Sequence, residues 1–244
     1  FPSTAIPSGA EAYTIDQSIR FDGSEPDGGK LTQTFSGDGN LKTWTFSTWF
    51  KRSKLAVAGV TTGRGIFSRA WDGTNFFFGF LSDVDGASEE DAFVYSNYNG
   101  GYTVNICTTS VFRDLSAWYH IVVVLDTTEA VETNRVKIFI NGVQETSFQR
   151  TTYPALNSDQ KTGTGFGHEI SRDNAFMGYL AETHYINGTA LTPSSFGETG
   201  DYGEWKPKEY DVSDGAYGTN GFYLDYADAA DMGDNESGNG NDWT

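Results

Sequence analysis

The segment TWTFSTWF at residues 43–50 decides the fold, because its large apolar side chains recur with a period of two. In an extended chain, Trp44, Phe46 and Phe50 fall on one face. The other face carries Thr43, Thr45, Ser47 and Trp49. This pattern predicts a β-strand that turns one face towards a hydrophobic core.

Comparable short runs follow along the chain. We predict strands at residues 17–22, 65–69, 75–81, 92–96, 103–108, 118–125, 135–140, 143–146 and 176–187. Asn141 and Gly142 separate two of these runs and predict a tight hairpin, because both residue types tolerate a positive φ angle. A helix of about one turn is expected with Thr192 as its N-cap and Pro193 at its first position. Without a long amphipathic helix, the pattern predicts an all-β sandwich of two packed antiparallel sheets.

Composition excludes several classes of function. The 244 residues include 29 glycines, and 33 acidic residues outnumber 16 Lys and Arg for a net charge of −17. A charge of this sign repels phosphate backbones and anionic membrane surfaces, so we expect no nucleic-acid partner and no membrane insertion. The single Cys107 allows no intramolecular disulfide and no Cys/His zinc site, and we expect it to be buried in a strand. The chain begins at Phe1 without a recognisable signal peptide, so we expect a processed chain or a fragment.

Several motifs, in their order along the chain, resemble those of one family. They are SIRFD at 18–22, WTFSTWFKR at 44–52, WYHIV at 118–122, VKIFING at 136–142 and GYLAETHYINGTALTP at 178–193. They resemble a laminin-G-like, concanavalin A-type jelly roll. The closer resemblance is to the laminin-G-like domains of bacteriophage structural and tail proteins, which also show segments similar to WKPK at 205–208, YGTNGFYL at 217–224 and SGNGNDWT at 237–244. The fold class implied is a two-sheet antiparallel jelly-roll sandwich with very little helix.

This resemblance implies a non-enzymatic component of a phage virion, on a tail or a capsid appendage. Its role would be attachment to a host-surface glycan or assembly contacts with other virion subunits, and we expect a homo-oligomer. The alternatives are a secreted bacterial carbohydrate-binding module or glycoside hydrolase, and a purely structural decoration protein. We expect an extended arm at 1–16, the sandwich at 17–226 and a Gly/Asp/Asn-rich segment at 227–244. The resemblance implies that this segment leads into a further domain, with Thr244 at the boundary.

Sugar recognition needs exposed aromatic rings beside polar side chains, and three irregular stretches have that composition. The candidate ligand-binding residues are Trp71, Asp72, Asn97, Tyr98, Asn99, Tyr102 and Trp205. Aromatic residues in loops also serve as lids over the ends of a sandwich or as oligomer contacts, and this alternative remains open.

The acidic loops make Ca²⁺ a possible ligand, because hard cations bind oxygen donors. Asp83 and Asp85 are the candidate metal ligands, and further acidic clusters occur at 22–27 and 231–242. We expect that the chain requires no cofactor. The alternative to a Ca²⁺ site is that these acidic loops are simply solvated and keep the protein soluble.

Catalysis is not expected. Glycoside hydrolysis needs two carboxylates that face one cleft, and glucanases of this fold carry a Glu-x-Asp-x-Glu strand that is missing here. The pairs nearest to this pattern, Asp83 with Asp85 and Glu209 with Asp211, fall in predicted loops. His120 and His184 lie within predicted strands. We expect them to be histidines partly covered by neighbouring residues, and a catalytic base is the alternative.

Overall fold

The computed structural model describes residues 13–22, 29–55, 64–69, 74–80, 91–171 and 176–244. Within these ranges the chain forms two seven-stranded sheets and one two-stranded sheet, and every strand pairing is antiparallel. The predicted all-β sandwich is therefore confirmed. No helix in the described ranges is long and apolar enough to cross a membrane.

Sheet A carries the segment that decides the fold. In spatial order its strands are β1 (Ile19–Phe21), β13 (Gly178–Asn187), β3 (Thr43–Arg52), β8 (Tyr119–Asp126), β9 (Val136–Ile140) and β10 (Val143–Gln144). The short strand β16 (Phe222–Leu224) also pairs with β13.

Sheet B packs against sheet A, and a two-stranded ribbon completes the set. The order in sheet B is β11 (Phe148–Thr152), β7 (Tyr102–Val111), β6 (Ala92–Asn99), β5 (Thr74–Phe80), β4 (Arg64–Arg69), β12 (Gly167–Ile170) and β2 (Leu31–Thr34). The covering ribbon consists of β14 (Gly197–Thr199) and β15 (Trp205–Pro207).

The core between the sheets contains the predicted face of β3. Trp44, Phe46 and Phe50 are fully buried. Across the interface, the ring of Trp44 lies 5.5 Å from that of Phe78, and Phe46 stacks on Phe67 at 5.2 Å. Each such side chain contributes about 1.5–3 kcal/mol through burial. The alternation of apolar residues within β3 therefore places these aromatic rings in the core, where they contact rings of the opposite sheet.

Two local predictions are confirmed. Asn141 and Gly142 have φ angles of 47° and 80° and connect β9 to β10, as expected for the hairpin. Cys107 is buried within strand β7, as expected. The helix start is corrected in one respect. Residues Pro193–Ser195 form one 3-10 turn, but Thr192 makes no side-chain cap to the backbone, because its hydroxyl pairs with Ser194 Oγ at 2.7 Å.

The last residues of the chain return to the sandwich. Trp243 is buried in the core, where its ring lies 4.8 Å from that of Phe222. Thr244 exchanges two backbone hydrogen bonds with Thr32 on β2, at 2.7 and 3.0 Å. The segment at 227–244 thus packs against both sheets without forming a strand of its own.

Candidate functional site

Four of the residues predicted as site residues lie outside the described ranges. They are Trp71, Asp72, Asp83 and Asp85. In the part of the chain that the structure describes, no three His, Cys, Asp or Glu side chains converge as a metal ion would require. In the acidic segment at 231–242, for example, Asp231 Oδ1 accepts a hydrogen bond from the backbone of Gly233.

The tip of the β6–β7 hairpin holds four further predicted residues. Tyr98 and Tyr102 form an edge-to-face pair with ring centroids 5.4 Å apart, and Tyr102 is 55 % exposed. Asn99 is exposed beside them. Asn97, in contrast, is fully buried, because its amide donates to Tyr95 Oη at 2.6 Å and its oxygen accepts from the Lys161 backbone at 2.8 Å. The fold itself therefore occupies the side chain of Asn97.

Trp205 lies in the covering ribbon, and the fold uses its polar atom. Its indole Nε1 donates to His120 Nδ1 at 3.0 Å, and the two rings are nearly parallel. A neutral imidazole that accepts at Nδ1 carries its proton on Nε2. His120 Nε2 therefore donates to Ser47 Oγ, 2.8 Å away. Trp49 stacks on the same imidazole at 4.8 Å.

This arrangement is not a nucleophile beside a base. Burial, with a smaller effect from His184, lowers the pKa of His120 to about 3, so the ring is neutral near pH 7. The nitrogen that faces Ser47 already carries a proton and cannot accept the one on the hydroxyl. Ser47 is itself only 1 % exposed. His120, bonded to Ser47 on one side and to Trp205 on the other, instead holds the covering ribbon on the outer face of sheet A.

A second buried polar cluster lies beside the first on this outer face. The His184 ring stacks on Tyr223 at 4.3 Å, and its Nδ1 lies 2.9 Å from Tyr217 Oη. Its Nε2 lies 3.5 Å from Glu182 Oε2, which also accepts from Tyr223 Oη at 2.8 Å. Tyr13 adds a further hydrogen bond to Glu182.

The position of Glu182 depends on a bulge in β13. Pairing with β3 shifts between Ala181 and His184, and Glu182 has a φ angle of 48°. Burial alone raises the pKa of Glu182, but hydrogen bonds from His184, Tyr223 and Tyr13 outweigh burial and hold the pKa below its ordinary value. Burial lowers the pKa of His184 in spite of the nearby Glu182. The cluster therefore contains a neutral His184 imidazole and a Glu182 carboxylate, and this carboxylate already accepts hydrogen bonds from hydroxyl and imidazole donors.

An open groove lies next to these clusters, and we call it the aromatic groove. It has a volume of about 520 Å³ and is lined by residues 13–18, Trp49, Trp118, Ala181, Lys206 and Pro207. Trp118 is 38 % exposed, whereas Trp49 is 8 % exposed and lies deeper. The volume falls within the range of about 300–1,000 Å³ that is typical of small-ligand sites.

Sequence reasoning missed this groove. Trp118 was part of a predicted strand, and residues 13–18 were divided between an arm and a strand. Trp49 was correctly placed on the face of β3 opposite the core, and a tryptophan on that face was the available signal. Local periodicity carries no information on which distant segment covers a strand, so the groove emerges only when 13–18 and the ribbon pack beside Trp49.

Comparison with known proteins gives a family match and a set of distant folds. The family model Laminin_G_3, of the concanavalin A-like lectin/glucanases superfamily, matches residues 26–195. No curated protein sequence matches the chain significantly.

Among solved structures, a proposed carbohydrate binding protein from Bacteroides ovatus ATCC 8483 is similar at a TM-score of 0.53 and 12 % identity, over 93 % of this chain. The chain spans 58 % of the length of that protein. A native heptameric SAP-like pentraxin from Limulus polyphemus has a TM-score of 0.46 and 14 % identity, over 74 % of this chain and 80 % of its own. Domain 4 of a GH43 extracellular arabinanase from Geobacillus stearothermophilus, in complex with arabinotriose, has a TM-score of 0.45 and 18 % identity, over 73 % of this chain and 84 % of its own.

Proposed function

Since the chain belongs to the concanavalin A-like lectin/glucanases superfamily, we propose that it is a non-enzymatic carbohydrate-binding domain whose ligand site is the aromatic groove. Fold membership alone does not determine this function, because the same sandwich carries binding, catalytic and structural roles. The proposal rests on the site.

The observation that carries the proposal is the chemistry of the groove. A pyranose presents C–H groups on its faces and hydroxyls around its rim. Trp118 offers a partly exposed ring for such a face, above the deeper Trp49. Asp16 and Gln17 are exposed along the wall and offer a carboxylate and an amide for sugar hydroxyls. An apolar surface with a few polar groups at its rim is typical of a small-ligand site.

Hydrolysis fits this groove poorly. Glycosidases place two carboxyl groups about 5–9.5 Å apart across the scissile bond. Among the described residues that line the groove, Asp16 alone carries a carboxylate. Glu182 lies in the neighbouring cluster, where it is 8 % exposed and bonded to Tyr223. Binding without turnover is the function that these positions support.

For the biological setting, we propose attachment to a host-surface glycan by a subunit of a phage virion, as a homo-oligomer or beside other virion subunits. The support is the ordered set of motifs, from SIRFD at 18–22 to SGNGNDWT at 237–244, that resembles the laminin-G-like domains of phage tail proteins. A secreted carbohydrate-binding module would use the same groove. A decoration protein would not need one.

A glycan array followed by calorimetry tests the site. We expect Trp118→Ala to weaken binding at least tenfold, or by about 1.4 kcal/mol, with an unchanged unfolding midpoint. Tyr102→Ala is the matched control, because it removes an exposed aromatic ring from the β6–β7 hairpin. Loss of binding in Tyr102→Ala with full binding in Trp118→Ala would move the site to the hairpin and overturn the groove proposal.

The setting is tested separately, by immunogold labelling of intact particles. Label at a distal tip supports host attachment, whereas label distributed over a shell supports decoration. Protein found only in the culture medium, with none on particles, would contradict the virion proposal and favour a secreted module.

A further inference from the structure

The charged side chains that line the aromatic groove balance each other. Among the described lining residues, Asp16 carries the only negative charge and Lys206 the only positive one. The chain as a whole has a net charge of −17. An electrically balanced groove in so acidic a protein is a property of the site and does not follow from composition.

The positive charge of Lys206 is already engaged outside the groove. Its Nζ lies 2.9 Å from Glu198 Oε1, a residue of the covering ribbon that does not line the groove. The hydrogen bond to Glu198 raises the pKa of Lys206, and Asp201 and Glu204 add to this effect. An anionic ligand would therefore compete with Glu198 for the ammonium group.

We infer that the aromatic groove selects uncharged glycans over acidic ones; this inference rests on the proposed function of the groove. A sugar carboxylate would meet Asp16 and the field of a strongly acidic protein without gaining a free cation. A neutral ligand instead offers hydroxyls that donate to Asp16 and accept from Gln17 or Ser18, and it has no charge of its own to desolvate.

The test uses oligosaccharides matched in shape and different in charge. The array carries neutral hexose oligosaccharides and their uronic-acid counterparts. We expect each neutral ligand that binds to do so at least tenfold more tightly than its uronic-acid counterpart. Affinity for the neutral ligand should change less than twofold between 20 and 500 mM NaCl, because salt screens interactions between charges.

A charge variant outside the groove sharpens the test. Glu198→Gln releases Lys206, so the disadvantage of the uronic-acid ligand should shrink at least threefold. Glu132→Gln removes the same charge from the 3-10 turn Glu132–Asn134, beyond the end of β8 opposite to Trp118, and should leave that disadvantage unchanged. An equal effect in both variants would attribute selectivity to net charge and overturn the role assigned to Lys206 and Glu198.

Failure of the inference is distinguishable from failure of the proposed function. Binding confined to acidic glycans, lost in Trp118→Ala, would keep the groove as a carbohydrate site and overturn its preference for uncharged ligands over acidic ones. The absence of binding to every glycan on the array at millimolar concentration would overturn both.

Discussion

The indole of Trp205 packs so closely on Gly142 that a Cβ atom at that glycine would lie 2.5 Å from the ring. Gly142 belongs to the turn between β9 and β10, whereas Trp205 begins β15 of the covering ribbon. Gly197 approaches the indole equally closely from within the ribbon. The hydrogen bond from Trp205 to His120 completes a single anchor of the ribbon on sheet A.

Gly142→Ala should therefore destabilise the fold more than its backbone angle alone requires. A non-glycine residue at a positive φ costs roughly 1–2 kcal/mol, and the contact with Trp205 should add about 1–3 kcal/mol. Gly203→Ala is the control, because Gly203 has a φ of 86° with no neighbouring atom within 4 Å. Urea unfolding at pH 7 measures both variants, and equal losses would contradict the packing role of Gly142.

Trp205→Phe removes the donor to His120 and keeps an aromatic ring. Leaving a buried acceptor unpaired should cost about 1–3 kcal/mol of unfolding free energy. The same replacement at Trp118, which is 38 % exposed, should have a smaller effect. Nitrogen NMR of wild-type His120 should show a protonated Nε2 and a bare Nδ1; a proton on Nδ1 would contradict the assigned hydrogen bond.

The fold was largely predictable because alternation is a local property. The pattern in β3 placed Trp44, Phe46 and Phe50 in the core, and Asn141-Gly142 placed a hairpin. The predicted strand at 143–146 was too long, since only Val143–Gln144 pair at this edge of sheet A. Glu145 still donates one backbone hydrogen bond to Ile138 on β9, but the chain then leaves this edge, because the Ser147 carbonyl accepts from Thr109 on β7 of sheet B.

The site was less predictable, because it depends on contacts between distant segments. Trp205 was predicted as a ligand-binding residue in an irregular stretch, and composition does not distinguish a stacking platform from a lid. Its donation to His120 spans 85 residues of sequence. The bulge that turns Glu182 towards His184 and Tyr223 is likewise set by pairing between β13 and β3. Neither relationship has a periodic signature.

Acidification should destabilise the protein between about pH 6.5 and pH 3, through His120. Burial lowers its pKa to about 3 in the folded chain, so the unfolded chain binds the proton first as pH falls. From an unfolded pKa of about 6.5, His120 alone should remove about 2 kcal/mol between pH 7 and pH 5. His184 acts in the same direction, because its pKa is also lowered. Urea unfolding at both pH values should show a smaller loss for His120→Gln; an equal loss would contradict a neutral, buried His120.

The predicted Ca²⁺ site at Asp83 and Asp85 stays a prediction, since both residues lie outside the described ranges. If these carboxylates bind the ion, millimolar CaCl₂ should raise the melting temperature relative to EDTA by mass action on the folded state. The double variant Asp83→Asn/Asp85→Asn should lose this rise, whereas Asp231→Asn, in the C-terminal segment, should retain it. Equal melting in CaCl₂ and EDTA would remove calcium from this region.

Arg52 and Asp91 form a buried ion pair that joins the two sheets. Arg52 Nη2 lies 2.7 Å from Asp91 Oδ1, Nη1 donates to the Phe112 carbonyl at 2.6 Å, and the guanidinium lies 4.6 Å from the Phe80 ring centroid. Burial lowers the pKa of Arg52, although the hydrogen bond to Asp91 opposes this effect.

Because both partners are almost fully buried, Arg52→Met should leave the Asp91 carboxylate without its buried cation and cost about 3–5 kcal/mol. Lys206→Met breaks a solvent-exposed pair and should destabilise the fold far less than Arg52→Met. The double variant Arg52→Met/Asp91→Leu should recover part of the loss, because it removes the buried charge together with its partner. A double variant less stable than Arg52→Met would show that Asp91 stabilises the fold mainly through partners other than Arg52, such as Arg113.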